Sequence, residues 1–168
     1  MSQQLMIDSF AFAREGAVLQ GSLPVSELTR VHDLLAEVSG ELRYSVQGRL
    51  IRNAVGEGES QLRVHIRGAL QLACQRCLGA IALDLDVDSL FRLVPEDTEL
   101  TQEELQDDGC DVLPVAGALD LAALIEDEVI LALPVAPRHE ECDTPGDDEA
   151  GERINPFAVL SGFKGRLN

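Results

Sequence analysis

The chain has 168 residues, 45% of them hydrophobic and 26% charged, a composition that supports one domain with a single core and excludes wholesale disorder or a fibrous repeat. Thirty acidic against thirteen basic residues give a formal charge of −17, which argues against a generic grip on nucleic acid or on an anionic membrane. Aromatic residues make up 4%, with no Trp and one Tyr, too few for a base-stacking platform.

Residues 1–12 carry Asp8 and no basic cluster, unlike a secretory signal. The longest apolar stretch, residues 129–137, falls far short of the roughly 20 residues that a bilayer span needs. A cytoplasmic location is expected, with no membrane and no small-molecule substrate. In that compartment four cysteines read as metal ligands or buried thiols before disulfides.

The charge is unevenly distributed. Residues 40–82 hold Arg43, Arg49, Arg52, Arg63, Arg67 and Arg76 against Glu41, Glu57 and Glu59, whereas residues 83–152 hold 22 acids against only Arg92 and Arg138. A positive central surface facing RNA or an acidic partner is compatible with that pattern. Twelve of the thirteen basic residues are Arg, the side chain whose planar fork matches phosphate and carboxylate.

In chain order, residues 25–39 predict a helix, with Ser26 as cap, Leu28, Val31, Leu35 and Val38 at helical spacing, and Gly40 as the stop. His32 falls on its boundary with no catalytic partner nearby. Strand patterns lie on either side of a turn at 53–58. Leu42, Tyr44, Val46 and Leu50 alternate with Arg43, Ser45, Gln47 and Arg49. Leu62, Val64, Ile66, Leu70, Leu72 and Cys74 then alternate with Arg63, His65, Arg67 and Gln71. After the Cys74-Gln-Arg-Cys77-Leu-Gly turn, Ile81, Leu83, Leu85 and Val87 alternate with Asp84, Asp86 and Asp88, which makes a long hairpin. Its outer face sets an Arg/His row against an Asp row. That is either cross-strand charge pairing or a polar ligand surface built on Arg43, Arg49, Arg63 and Arg67.

Residues 95–118 read as an acidic irregular loop, with a short helix at 101–106 started by a Thr101…Glu104 capping box. Residues 120–133 are the clearest helix. Asp120 caps it, Leu121, Leu124, Ile125, Val129 and Ala132 form its apolar stripe, and Pro134 ends it. Glu126, Asp127 and Glu128 are consecutive, so they point in different directions and form no single carboxylate pair. The expected fold is α+β: an antiparallel sheet with a long hairpin around the Cys-x-x-Cys turn, packed by two main helices. Residues 1–137 form the domain, 138–153 an acidic flexible linker, and 154–168 a short amphipathic tail. In the tail, Asn155 and Pro156 start a helix lined by Phe157, Leu160 and Phe163, which either folds back on the core or docks on a partner.

Cys74 and Cys77 have the spacing of half a zinc site, and His139 with Cys142 repeats the two-residue spacer, so a Cys3His zinc set stands beside reduced structural thiols as the two readings. Redox chemistry at this turn lacks the helix N-terminus that would lower a thiol pKa. Cys110, between acidic neighbours, reads as a bystander. The sequence carries no phosphate loop, nucleophile elbow, zinc-protease or dinucleotide motif, and no catalytic residues are assigned.

Three segments together resemble the YceD family of bacterial large ribosomal RNA subunit accumulation proteins, which has relatives in plant organelles. They are the Cys74-Gln-Arg-Cys77 turn, the Glu-Asp-Glu helix running into Leu-Pro-Val-Ala-Pro137 with the following His139…Cys142, and the Asn155-Pro-Phe-Ala-Val-Leu160 tail. The resemblance runs from about residue 10 to the end. It implies a non-enzymatic role in the processing or accumulation of large-subunit (23S) ribosomal RNA, through direct contact with that RNA or through a ribosomal partner, and it carries a suggestion of metal and nucleic-acid binding. Given the overall charge, any RNA contact falls to Arg43, Arg49, Arg52, Arg63, Arg67 and Arg76. The alternative is a zinc-stabilised acidic interaction module, or a chaperone whose acidic loops cover a basic ribosomal protein.

Overall fold

The computed structural model describes residues 5–52, 56, 58–101 and 109–142. In chain order the elements are β1 (Met6–Asp8), α1 (Ser9–Glu15), β2 (Val18–Pro24), two 3-10 segments (Val25–Glu27 and Thr29–Leu34), β3 (Leu35–Glu37), β4 (Glu41–Arg52), β5 (Gly58–Ala73), β6 (Ala80–Pro95), β7 (Asp111–Val115), β8 (Ala118–Asp120) and α2 (Leu121–Ala132). Six strands form the main sheet, in the order β2-β4-β5-β6-β7 with β3 also on β5, while β1 and β8 make a separate pair. No described helix is long and apolar enough to cross a membrane.

The alternation in β4, β5 and β6 sets the layers. Leu42, Val46, Leu62, Val64 and Ile66 are fully buried, together with Val25, Leu121, Ile125 and Val129 from the elements packed on that side. Each glycine on the covered face marks a close approach. A Cβ on Gly48 would collide with the Phe12 carbonyl oxygen of α1 and come 2.8 Å from Ala13 Cα, so α1 lies directly on the β4 backbone.

Asp120 caps α2 as the sequence suggests, accepting from Ala122 N and Ala123 N at 3.0 and 3.3 Å. The start of α2 is held further by Leu121 N donating to Leu5 O at 3.0 Å and by the β1–β8 ladder, in which Met6 faces Asp120. α1 escapes the sequence patterns because it has only seven residues. Its signals are nevertheless present, in the Asp8 side chain accepting from Ala11 N and in Gly16 closing it at φ 61°.

The architecture is α+β, with two departures from expectation. The predicted helix at 25–39 is instead two 3-10 segments followed by β3. Val25, Leu28 and Val31 are buried and recur every three residues, the period of a 3-10 helix rather than of an α-helix. Leu35 then leaves the helical path to pair with Leu72. The sheet is mixed, because β7 runs parallel to β6 with Phe91 facing Asp111, so part of the expected loop at 95–118 is strand. Pro114 is tolerated in β7 because that strand lies at the sheet edge. Residues 138–142, expected as the start of the linker, lie beside the β5–β6 turn, with Cys142 Sγ 3.9 Å from Cys74 Sγ. The remainder of that linker, the tail carrying Asn155, Pro156, Phe157, Leu160 and Phe163, and most of the predicted 101–106 helix lie outside the described residues.

Candidate metal centre and basic sheet face

Beyond β5 the chain reverses within six residues. Cys74 N donates to Gly79 O at 2.8 Å and Leu78 N donates to Cys74 O at 2.9 Å. Leu78 takes the left-handed conformation at φ 62°, a position that normally favours glycine. Inside the turn, Arg76 N and Cys77 N point at Cys74 Sγ from 3.4 and 3.5 Å. The chain returns after α2, where Gln75 N donates to Pro137 O at 2.9 Å. That bond sets the register of residues 138–142 against the turn.

Four donor atoms meet there. The Sγ atoms of Cys74, Cys77 and Cys142 and a ring nitrogen of His139 all lie within 4.8 Å of one another. Cys74 Sγ and Cys142 Sγ are 3.9 Å apart, and Cys77 Sγ is 3.3 Å from His139 Nδ1. A disulfide would bring two sulfurs to about 2.05 Å, whereas thiolates on a tetrahedral ion with bonds of about 2.3 Å stand about 3.8 Å apart. The Cys74–Cys142 separation matches the second geometry. His139 Nε2 lies 3.1 Å from Ala80 O. A carbonyl can only accept, so Nε2 carries the proton and Nδ1 turns its lone pair toward the sulfurs, the usual outer-shell arrangement of a ligating histidine.

The thiols are poised unequally. Burial opposes a Cys74 thiolate, yet the N–H groups of Cys77, His139 and Arg76 prevail and bring that thiol down to about 5. Burial, reinforced by the Cys74 and Cys77 sulfurs, pushes Cys142 up to about 11. Such crowding of negative charge is what a bound cation relieves. The four residues fit a metal ion by donor type, number and spacing. Cys110 lies outside this group.

The six arginines singled out in the sequence do not form one cluster. Arg43, Arg63 and Arg67 share the outer face of β4 and β5, where Arg43 faces Arg67 and Gln47 faces Arg63. Arg52 pairs with Gly58 at the far end of β5, and Arg76 sits in the turn past Ala73, so β5's 16 residues separate them by about 50 Å. The Arg/His and Asp rows do pair. Arg63 grips Asp88 through Nε and Nη2 at 2.8 and 2.5 Å, and Asp86 accepts from His65 at 2.8 Å and from Arg67 at 3.1 Å.

Glu126, Asp127 and Glu128 hold an arrangement the sequence did not disclose. Glu126 accepts from the backbone N–H and the Nε of Arg30 at 2.7 and 2.8 Å, and Asp127 meets Arg30 Nη2 at 2.6 Å. Two of the three carboxylates therefore converge on one guanidinium. Glu128, also buried, accepts from Ser89 of β6. Partners 96 residues away in the sequence leave no local signal.

The chain forms an α+β domain with a mixed sheet, and at the β5–β6 turn it gathers a Cys3His group that could hold a metal ion. The chain belongs to the family of the large ribosomal RNA subunit accumulation protein YceD, whose model matches residues 62–164. It is also similar to the large ribosomal RNA subunit accumulation protein YceD of Haemophilus influenzae, with 40% identity over 58 residues, covering 29% of this chain and 33% of that relative. The chain thus matches about a third of the curated relative's length. No solved structure matches it.

Proposed function

We propose that the protein is a non-enzymatic biogenesis factor of the large ribosomal subunit, acting in the cytoplasm to support the synthesis, processing or accumulation of 23S ribosomal RNA. The carrying observation is the family match over 62–164, a range that contains most of β5, the Cys74–Gly79 turn, β6, α2 and all four donor residues. Family membership of this kind points to the large-subunit RNA or a protein bound to it as partner.

In this reading Cys74, Cys77, His139 and Cys142 hold Zn2+. The ion joins the β5–β6 turn to the segment after α2 and fixes the long two-stranded ribbon relative to the helix layer, a structural role for a closed four-ligand site. RNA contact falls to the arginines of the 40–82 block: Arg43, Arg49, Arg52, Arg63, Arg67 and Arg76. The tail residues Asn155, Pro156, Phe157, Leu160 and Phe163 serve as a docking segment for a partner protein.

The acidic balance supports a second reading. Residues 83–152 carry 22 acids against two arginines, a surface suited to covering a basic ribosomal protein. Affinity purification of the chain at native level, with and without RNase, separates the two. Enrichment of 23S RNA and early assembly proteins, lost on RNase treatment, supports attachment through RNA. Enrichment that survives RNase and falls with salt supports the protein partner. Recovery of no ribosomal material from growing cells overturns the assignment.

A further inference from the structure

We infer that the open outer face of the sheet carries a seat for a phosphate group between Arg43 and Arg67, beside Ser45 and His65, an inference that rests on the proposed role at ribosomal RNA and names where on this chain the RNA backbone is held. Arg43 of β4 and Arg67 of β5 are direct register partners. Like charges placed opposite each other across two strands repel, and this chain has thirty carboxylates against thirteen bases from which to neutralise them. It does so next door: Asp88 is taken by Arg63 through two bonds. At the Arg43–Arg67 pair it does not. Asp86 is divided between His65 and Arg67, and Arg43 has no carboxylate partner among the described residues. One acid therefore serves three potential cations, leaving a local surplus of positive charge on a strongly acidic protein.

The surroundings suit an oxyanion. Ser45 and His65 are the next register pair, so a hydroxyl and an imidazole sit beside the two guanidinium groups. Gln20 Nε2 reaches Ser45 Oγ at 3.4 Å, and as a donor it occupies an acceptor position of that hydroxyl and leaves the Ser45 proton free to donate. Arg43, Tyr44, Ser45, His65 and Arg67 line a shallow concavity of about 300 Å³. It adjoins a second one of about 590 Å³ that shares Ser45, His65 and Arg67 and extends to Gln47, Asp86 and Asp88. Arg67 is 62% exposed, so the groups are reachable from solvent. Both guanidinium groups line this one concavity, and the guanidinium fork binds phosphate through charge-assisted hydrogen bonds. The flanking Asp86 and Asp88 confine a polyanion to this spot and weaken unselective binding elsewhere.

The chemistry recognised is a phosphate ester, supplied by an RNA backbone or by a free phosphorylated small molecule, and RNA is the source assigned here. The full-length chain is titrated with a short single-stranded RNA and, separately, with inorganic phosphate and a nucleoside monophosphate. Wild type is compared with Arg43→Gln, Arg67→Gln and the charge control Arg14→Gln on α1. Each seat variant should weaken RNA binding about tenfold and lower the slope of log affinity against log salt by about one, while Arg14→Gln changes it less than about twofold. Arg43→Gln without ligand should melt at or above the wild-type temperature, because it removes a repulsion. Equal losses in all three variants, a lowered melting temperature for Arg43→Gln, or no binding of any probe overturns the seat. Binding of the monophosphate but not RNA, lost in Arg43→Gln, upholds a phosphate seat and overturns RNA as its source. Recovery of 23S RNA from cells by a chain whose Arg43→Gln form binds RNA normally overturns the seat alone. Failure to recover that RNA overturns the functional assignment independently.

Discussion

Glu126 meets Arg30 twice, accepting its backbone N–H at 2.7 Å and its Nε at 2.8 Å across 96 residues of chain. The first bond satisfies a donor in the second 3-10 segment, and the second places a cation against a carboxylate that is itself largely buried. The pair fixes the irregular segment that covers one side of the sheet to α2.

Glu126→Ala removes both bonds and strands the Arg30 N–H in a partly buried site. Unsatisfied groups of that kind cost about 1–3 kcal/mol, which for a chain of this size corresponds to a melting temperature about 3–10 °C lower. Glu126→Gln keeps an acceptor for the N–H and should lose about half as much. Thermal melts of the two variants check this ordering, and equal losses would mean that the charge alone matters.

Gly48→Ala should be the most damaging small substitution on the covered face. Its Cβ would collide with the Phe12 carbonyl oxygen and come 2.8 Å from Ala13 Cα. Both are backbone atoms, so α1 must move. Overpacking of this sort costs about 1–3 kcal/mol, and denaturant unfolding should show it. At Gly68 the nearest atom is the end of the Leu42 side chain, with Glu41 O next at 3.1 Å. A side-chain end can turn aside, so Gly68→Ala should cost less than Gly48→Ala.

The Asp rows predict a modest acid sensitivity. The His65 and Arg67 hydrogen bonds hold the Asp86 carboxyl below the usual carboxylate range, and the Arg63 hydrogen bond does the same for Asp88. Groups with lowered folded values stabilise above the unfolded-state carboxyl pKa of about 3.9, and that contribution is lost as pH falls through the lowered values. Asp88→Asn should therefore melt about 1–2 °C below wild type at pH 6, since the pair is solvent-screened. The difference should close as pH falls through the lowered Asp88 value. A gap that persists at low pH would assign the loss to packing.

How much of this was legible in the sequence followed from how local each signal is. Alternation in β4, β5 and β6 and the Asp120 cap are short-range patterns, and each matches the strands and the helix start in the structure; the Cys74…Cys77 spacing is equally local. The 25–39 segment is ambiguous because Leu28, Val31 and Leu35 satisfy an i, i+3, i+7 template while Val25, Leu28 and Val31 satisfy a three-residue period. Only the partner strand, through Leu35 facing Leu72, separates the two. The Arg30–Glu126 clamp and the Ser89–Glu128 bond are purely tertiary. His139 and Cys142 repeat the two-residue spacer of Cys74 and Cys77 but stand in an acidic stretch whose composition reads as linker. What orders them is Gln75 N bonding to Pro137 O, a contact no composition reveals.

Metal content tests the structural account most directly. The full-length chain, purified without added metal and measured by elemental analysis, should carry about one zinc per molecule. Chelation, Cys142→Ser or His139→Ala should each release it and lower the melting temperature by about 10 °C, with zinc restoring the chelated wild type alone. Metal-free protein whose melting is unchanged by zinc, by chelator and by either substitution would contradict the account and leave Cys74, Cys77, His139 and Cys142 as neighbouring thiols and an imidazole without an ion to join them.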